Sequence, residues 1–155
     1  MKNWYRLAAE DLWGSLPATE GIQAAENAWA GGVADFGDPT AGALVSQMPG
    51  YHQYRQALQE QVRAVHGNQF VMYRAMTANQ FEEWRSGTDM GAASFTFSRR
   101  LAENWKNFQA NQDKSMVVVQ ATIQPEFVVM RGKAEENELV IDANQISFDE
   151  LQRLQ

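Results

Sequence analysis

The spacing of apolar residues changes at Gly67, and this change restricts the chain to a fold that combines helices and strands. Between residues 51 and 65 the apolar residues recur on one helix face, and Gly67 is placed to end that helix. Between residues 70 and 76 the chain is rich in residues that favour strands. Shorter helical patterns come earlier, at 5–16, 19–29 and 38–48. We therefore predict a single α+β domain of 155 residues, with a helical lobe at 1–66 and a β-rich core at 67–155.

The predicted β-rich core combines short strands with two short helices. Thr77 and Gln80 match a capping box at the start of one helix, and Ser98 can cap the other. The apolar patterns predict strands at 93–98 and 116–123, an acidic strand at 136–141, and a short strand at 146–148 before a helical turn through Leu151. Polar residues on the strands at 70–76, 93–98 and 136–141 carry the functional interpretation.

The composition argues against several classes of function. With a net charge of -6, the chain lacks the broad basic surface that binds nucleic acid through its phosphates. It has no cysteine and two histidines, so we expect neither a disulfide framework nor a metal site. Charged residues interrupt the apolar ones in positions 1–16, and no apolar run is long enough to span a membrane. We therefore expect a cytoplasmic protein without a signal peptide or membrane partner, acting in the producing cell or in a target cell.

Three polar side chains are unusual on strands as apolar as these. Arg74 is near the end of strand 70–76, where it either extends its charge to water or faces an anion in a cleft. Ser94 and Thr96 share one face of strand 93–98, where their hydroxyls either bond to a neighbouring strand or line a site. Each observation alone has an ordinary structural explanation, so the functional interpretation requires that they occur together.

Glu136 and Glu138 are two residues apart in the acidic strand. Because successive strand residues point to opposite faces, we expect the two carboxylates on one face, with Leu139 and Ile141 on the other. Carboxylates this close raise the cost of ionising each other, which suits acid-base or cation-stabilising chemistry. The alternative is a solvated edge strand in an acidic protein.

The order of these features resembles the mono-ADP-ribosyltransferases of the arginine-serine-glutamate class, which include cholera-toxin-like and clostridial binary-toxin-like enzymes. The segment Tyr73-Arg74-Ala75-Met76 resembles the family's Y-R-G segment, Ser94-Phe95-Thr96 its S-T-S motif, and Glu136-Asn137-Glu138 its E-x-E motif. The resemblance extends over residues 70–148. The chain departs from the family pattern in having Ala75 in place of glycine, and Phe95 and Thr96 as the last two residues of the serine motif.

The resemblance implies an NAD cleft between two small antiparallel or mixed sheets. Arg74 would pair with a phosphate of the cofactor, because its guanidinium is planar and permanently charged. Ala75 would hold the nicotinamide amide through its backbone groups, and Thr96 would keep a hydroxyl on the same face as Ser94. The residues that the resemblance assigns to NAD binding are Arg74, Ala75, Ser94, Thr96 and Glu138.

The resemblance assigns catalysis to Glu138, Glu136 and Ser94. Breaking the bond between nicotinamide and ribose produces an oxocarbenium-like centre, which Glu138 would stabilise while it hydrogen-bonds the ribose 2′-hydroxyl. Ser94 would orient Glu138. Glu136 would hold the guanidinium of the acceptor arginine and favour its attack on the sugar.

The implied function is a mono-ADP-ribosyltransferase that uses NAD as co-substrate, needs no metal and modifies an arginine of a target protein. Such a protein would act as a bacterial or phage effector or toxin, and a toxin would have an immunity protein as a further partner. Two alternatives stay open: an NAD glycohydrolase with water as the acceptor, and a catalytically inactive relative that binds a partner protein. A glycosidase fits less well, because its two acids flank the scissile bond rather than share a strand face.

Overall fold

Three α-helices and six strands form the part of the chain that the structure, a computed structural model, describes: residues 50–107, 115–132 and 137–154. The helices are α1 (Tyr51–His66), α2 (Ala78–Arg85) and α3 (Arg99–Lys106). The strands are β1 (Phe70–Thr77), β2 (Ala92–Thr96), β3 (Met116–Ile123), β4 (Val128–Arg131), β5 (Glu138–Asp142) and β6 (Leu151–Leu154). The predicted α+β class is confirmed, and the helical patterns predicted before residue 49 lie outside the described residues.

One helix ends, and two others begin, where the local sequence predicts. α1 ends at Gly67, whose φ of 84° is a left-handed conformation that glycine adopts readily. α2 starts at the predicted capping box, where the N–H of Gln80 donates to the Thr77 hydroxyl over 3.0 Å. Ser98 caps α3 by accepting a 3.2 Å hydrogen bond from the N–H of Leu101. Within the described ranges, no helix is long and apolar enough to cross a membrane.

The six strands form one antiparallel sheet in the order β4-β5-β2-β1-β3-β6. The prediction of two small sheets is therefore wrong. β1 pairs with β3 along all eight of its residues, but it meets β2 at one register pair, Tyr73 opposite Thr96. The sheet thus has two three-stranded halves that meet at a narrow junction. The expectation of two sheets came from the family resemblance, since alternation in the sequence indicates which residues share a face but not which strands become neighbours.

One face of the sheet packs against α1 and α2. Phe95 of β2 lies on this face and meets Trp84 of α2 with 6.4 Å between ring centroids. Phe97, two residues further on, stacks on His66 of α1 at 4.1 Å. Residues alternate along a strand, and directly paired residues share a face. The side chains that therefore lie on the opposite face, which we call the polar face, include Tyr73, Ser94, Thr96 and Glu138, beside the apolar Val140.

Tyrosines of α1 hold β4 in position. The Tyr51 hydroxyl donates to the carbonyl of Val129 over 3.0 Å, and the Tyr54 hydroxyl accepts from the N–H of Arg131 at 3.0 Å. Burial raises the pKa of Tyr51, so its hydroxyl keeps the proton that it donates. The buried Arg131 guanidinium lies 5.7 Å from the centroid of the Tyr54 ring, which is a cation–π distance. These contacts fix the strand that leads into Gly132.

The last strand is displaced from its predicted position. In place of a strand at 146–148 and a following helical turn, a 3₁₀ turn at Phe148–Glu150 precedes β6. The sequence of β6, Leu-Gln-Arg-Leu, has little strand alternation of its own. The segment extends because β3 supplies a partner edge, with Val118 opposite Leu154.

Candidate active site

Three neighbouring strands bring most of the predicted site residues together. Thr96, the last residue of β2, pairs with Glu138, the first residue of β5, and with Tyr73 of β1 on its other side. Ser94 lies two residues before Thr96 and shares its face. The polar face therefore carries the predicted hydroxyls and the predicted catalytic acid in one row across the junction of β5, β2 and β1.

Arg74 follows Tyr73 in β1, so by the same alternation its side chain leaves the sheet on the Phe95 face, and its guanidinium reaches the junction between β1 and β2. Arg74 is the fifth of eight residues in β1, so it lies inside the strand rather than near its end as predicted. Its Nη1 donates a 2.9 Å hydrogen bond to the carbonyl oxygen of Ser94. The N–H of Phe97 donates to Asn137 and so faces β5. The backbone groups of successive residues point to opposite sides of a strand, so those of Ser94, three residues earlier, point toward β1. Because register pairing of β1 with β2 is limited to Tyr73 and Thr96, the guanidinium takes the place of a backbone donor at this carbonyl.

The electrostatics of Arg74 connect it with Glu138. Burial lowers the pKa of the Arg74 guanidinium, and the Glu138 carboxylate opposes this effect, so the two groups are close enough to interact. An arginine still keeps its charge at neutral pH. The Nε of Arg74 is buried and has no hydrogen-bond partner among the described residues. The junction therefore holds a cationic group with an unused donor, which suits the binding of an anionic or strongly polar ligand.

Ala75 lies where its backbone groups face the same junction. The backbone groups of alternate residues point to opposite sides of a strand, and those of Tyr73 face β2. The N–H and C=O of Ala75 therefore also point toward β2, beyond the single pair that joins the strands. The side chain is nearly buried and pairs with Val118 of β3. Ala75 can thus offer backbone groups, as the family resemblance requires, without offering a side chain.

Gly132 is a residue of this site to which the sequence interpretation assigned no role. The N–H of Gly132 donates to the carbonyl of Glu138 over 3.0 Å. A Cβ at position 132 would lie 2.9 Å from Cβ, Cγ and Oε1 of Glu138. The Glu138 side chain therefore lies directly over the glycine. The signal in the sequence was a glycine at the end of an apolar strand, six residues before a candidate acid.

Glu136 lies outside the described residues, so its predicted place beside Glu138 stays a prediction. β5 begins at Glu138, two residues later than the predicted acidic strand. Asn137 has a φ of +50°, which is left-handed backbone rather than extended strand. Regular alternation therefore does not continue back from Glu138, and the argument that put both carboxylates on one face does not apply.

The comparisons with known proteins add no identification. No protein-family model, curated protein or solved structure matches the chain. Among the residues that the structure describes, no group of three or more His, Cys, Asp or Glu side chains could hold a metal ion. The functional argument therefore rests on the geometry around Arg74, Ser94 and Glu138.

Proposed function

We propose that this chain is a mono-ADP-ribosyltransferase, which transfers ADP-ribose from NAD to an arginine side chain of a target protein and releases nicotinamide. One observation carries the proposal: the part-buried Arg74 guanidinium donates a hydrogen bond to the Ser94 carbonyl and is close enough to the Glu138 carboxylate to interact with it, at the junction of three strands. The assignment to the ADP-ribosyltransferase fold is part of the proposal, and the narrow junction that divides the sheet into two halves supports it.

Glu138 is the acid that this chemistry needs. In the reaction the bond between ribose C1′ and the nicotinamide nitrogen breaks, and its electron pair leaves with nicotinamide. The positive charge that develops on the ribose is stabilised by a fixed carboxylate. A nitrogen of the acceptor guanidinium then forms the new bond to C1′ and loses a proton to the solvent. Glu138 suits the first role because its side chain lies over Gly132, on the same face as Ser94 and Thr96.

Arg74 is the anion-binding group in this proposal. One arm of its guanidinium is used by the Ser94 carbonyl, and Nε has no partner among the described residues. A phosphate oxygen of NAD would fill that unused donor, and a guanidinium binds phosphate through more than one N–H. Glu136 keeps its proposed role in holding the acceptor arginine, and an effector or toxin role follows from the proposed modification of a protein target.

The first test is nicotinamide release from NAD by the purified protein, with and without agmatine as a small guanidinium acceptor. The wild type should release nicotinamide, and Glu138→Gln should abolish release. Glu83→Gln is the matched control, because Glu83 is an exposed glutamate on α2, and it should behave as the wild type. Retained release in Glu138→Gln contradicts the assignment.

The same assay separates the proposed activity from its nearest alternatives. ADP-ribosyl-agmatine is the product expected of the transferase. Free ADP-ribose alone, in the presence of agmatine, indicates an NAD glycohydrolase that uses the same groups with water. No release from the wild type, with or without cell lysate as a source of target protein, indicates a catalytically inactive relative that binds a partner.

A further inference from the structure

Asn137, the residue immediately before Glu138, is unusual in two ways. It is the one residue other than glycine with a positive φ in the described ranges. Its Oδ1 is buried and has no hydrogen-bond partner there, although the residue as a whole is partly exposed. Left-handed backbone costs asparagine less than most residues other than glycine, whereas a buried acceptor without a partner is costly for any residue. Both costs fall on the residue next to the proposed catalytic acid, and such costs concentrate at functional sites.

The backbone of Asn137 is held from β2. Its carbonyl accepts a 3.0 Å hydrogen bond from the N–H of Phe97, which extends the β2–β5 ladder one step beyond the pair of Thr96 with Glu138. Phe97 is in turn stacked on His66 at 4.1 Å. Asn137 is therefore fixed beside Glu138 by the sheet.

We propose that the Asn137 amide oxygen is a substrate-binding group that accepts a hydrogen bond from a planar N–H donor beside the Glu138 carboxylate. The inference rests on the proposed function, and it assigns a ligand to a residue for which the family resemblance gives no role. Two groups in that reaction have this chemistry: the carboxamide of nicotinamide and the guanidinium of the acceptor arginine. An amide oxygen accepts a hydrogen bond from either without adding charge to the site.

Arg74 of β1 supports this assignment with a second buried polar atom. Its Nε is a buried donor without a partner in the described part of the chain, as the Asn137 Oδ1 is a buried acceptor without one. Glu138 adjoins Asn137 in sequence and interacts electrostatically with Arg74. The site therefore combines one unused donor and one unused acceptor with the carboxylate, which is the set expected where a polar ligand completes the hydrogen bonding.

Asn137→Gly removes the amide side chain without disturbing the backbone, because glycine adopts the left-handed conformation freely. It therefore tests the effect of the side chain alone. We expect this variant to keep its thermal stability while KM for one substrate rises about 3- to 10-fold, the effect of losing one hydrogen bond. Asn137→Val is the backbone control, since a β-branched residue resists left-handed φ, and it should lose both stability and turnover.

A higher KM for NAD in hydrolysis identifies the carboxamide as the donor. A higher KM for agmatine alone identifies the guanidinium. Unchanged KM values for both substrates overturn the proposal.

A second measurement keeps the inference testable if the wild type does not turn over NAD. The side-chain NH₂ signal of Asn137, assigned in an ¹⁵N-labelled protein by its loss in Asn137→Gly, is followed while nicotinamide or agmatine is added. A saturable shift with either probe supports the substrate-binding role, whatever the outcome for catalysis. No shift with either probe overturns it. Failure of the proposed function therefore appears as absent turnover, and failure of this inference as an unresponsive Asn137.

Discussion

The Arg74 guanidinium donates a 2.9 Å hydrogen bond to the backbone carbonyl of Ser94, at the point where register pairing of β1 with β2 ends. A side chain that substitutes for a ladder hydrogen bond is part of the sheet as well as part of a site. Arg74 should therefore influence both the stability of the fold and the binding of a ligand.

Arg74→Lys should lower the free energy of unfolding by about 1–3 kcal/mol, because a compact ammonium cannot match the guanidinium fork and leaves the part-buried Ser94 carbonyl poorly paired. Urea denaturation measures this loss, and NAD binding should weaken in parallel. Arg100→Lys is the matched control, because Arg100 is exposed in the first turn of α3. Equal stability of the two variants would show that the bond to Ser94 contributes nothing.

Gly132→Ala should destabilise the fold by about 1–3 kcal/mol, because the added Cβ would lie 2.9 Å from Cβ, Cγ and Oε1 of Glu138. Any nicotinamide release should fall more steeply than NAD binding, because the displaced group is the proposed catalytic carboxylate. The double variant with Glu138→Ala removes Cγ and Oε1, so the penalty for Gly132→Ala should shrink in that background. The same penalty in both backgrounds would mean that the glycine does not serve Glu138.

The Thr96 hydroxyl accepts a 3.1 Å hydrogen bond from the N–H of Ser98, at the turn that starts α3. Thr96→Val keeps the shape of the side chain but removes this acceptor, so we expect a loss of about 1–2 kcal/mol in unfolding free energy. Thr96→Ser keeps the hydroxyl and should retain most of the stability, which makes it the matched control in the same denaturation experiment. A Val variant as stable as the Ser variant would rule out a structural role for this bond.

Local patterns predicted the elements of this fold well. The spacing of apolar residues and Gly67 predicted α1, the capping box at Thr77 predicted α2, and the apolar run at 116–123 predicted β3. These predictions succeed because each depends on residues within a few positions of one another. The family resemblance selected Arg74, Ser94 and Glu138, and their roles stay predictions. In the sheet, Ser94 and Glu138 share one face, and Arg74 donates to the Ser94 carbonyl.

Other features depend on contacts between distant parts of the chain, which local patterns cannot give. The single sheet results from non-local pairing, including β1 between β2 and β3. The role of Gly132 is visible only once Glu138 lies over it. The sequence pattern predicted Asn137 as an ordinary strand residue. Its backbone is left-handed instead, and the extended strand begins at the next residue, Glu138.

His66 should make the stability of the fold depend on pH. Its ring is stacked on Phe97 at 4.1 Å, and burial lowers its pKa from the usual 6.5 to about 4. The folded state thus favours the neutral ring, and between these two pH values the unfolded state binds more protons. The stabilisation from neutral His66 is complete above pH 6.5 and is lost as the pH falls toward 4.

The urea midpoint of the wild type should therefore fall between pH 7 and pH 4, in part through His66. His66→Phe keeps an aromatic ring against Phe97 and removes the titrating group, so its midpoint should fall less over the same range. His52→Phe, at an exposed position on the same helix, should retain the full decrease of the wild type. Parallel curves for the wild type and His66→Phe would show that protonation of His66 is not coupled to unfolding, even though its ring lies against the residue that holds Asn137.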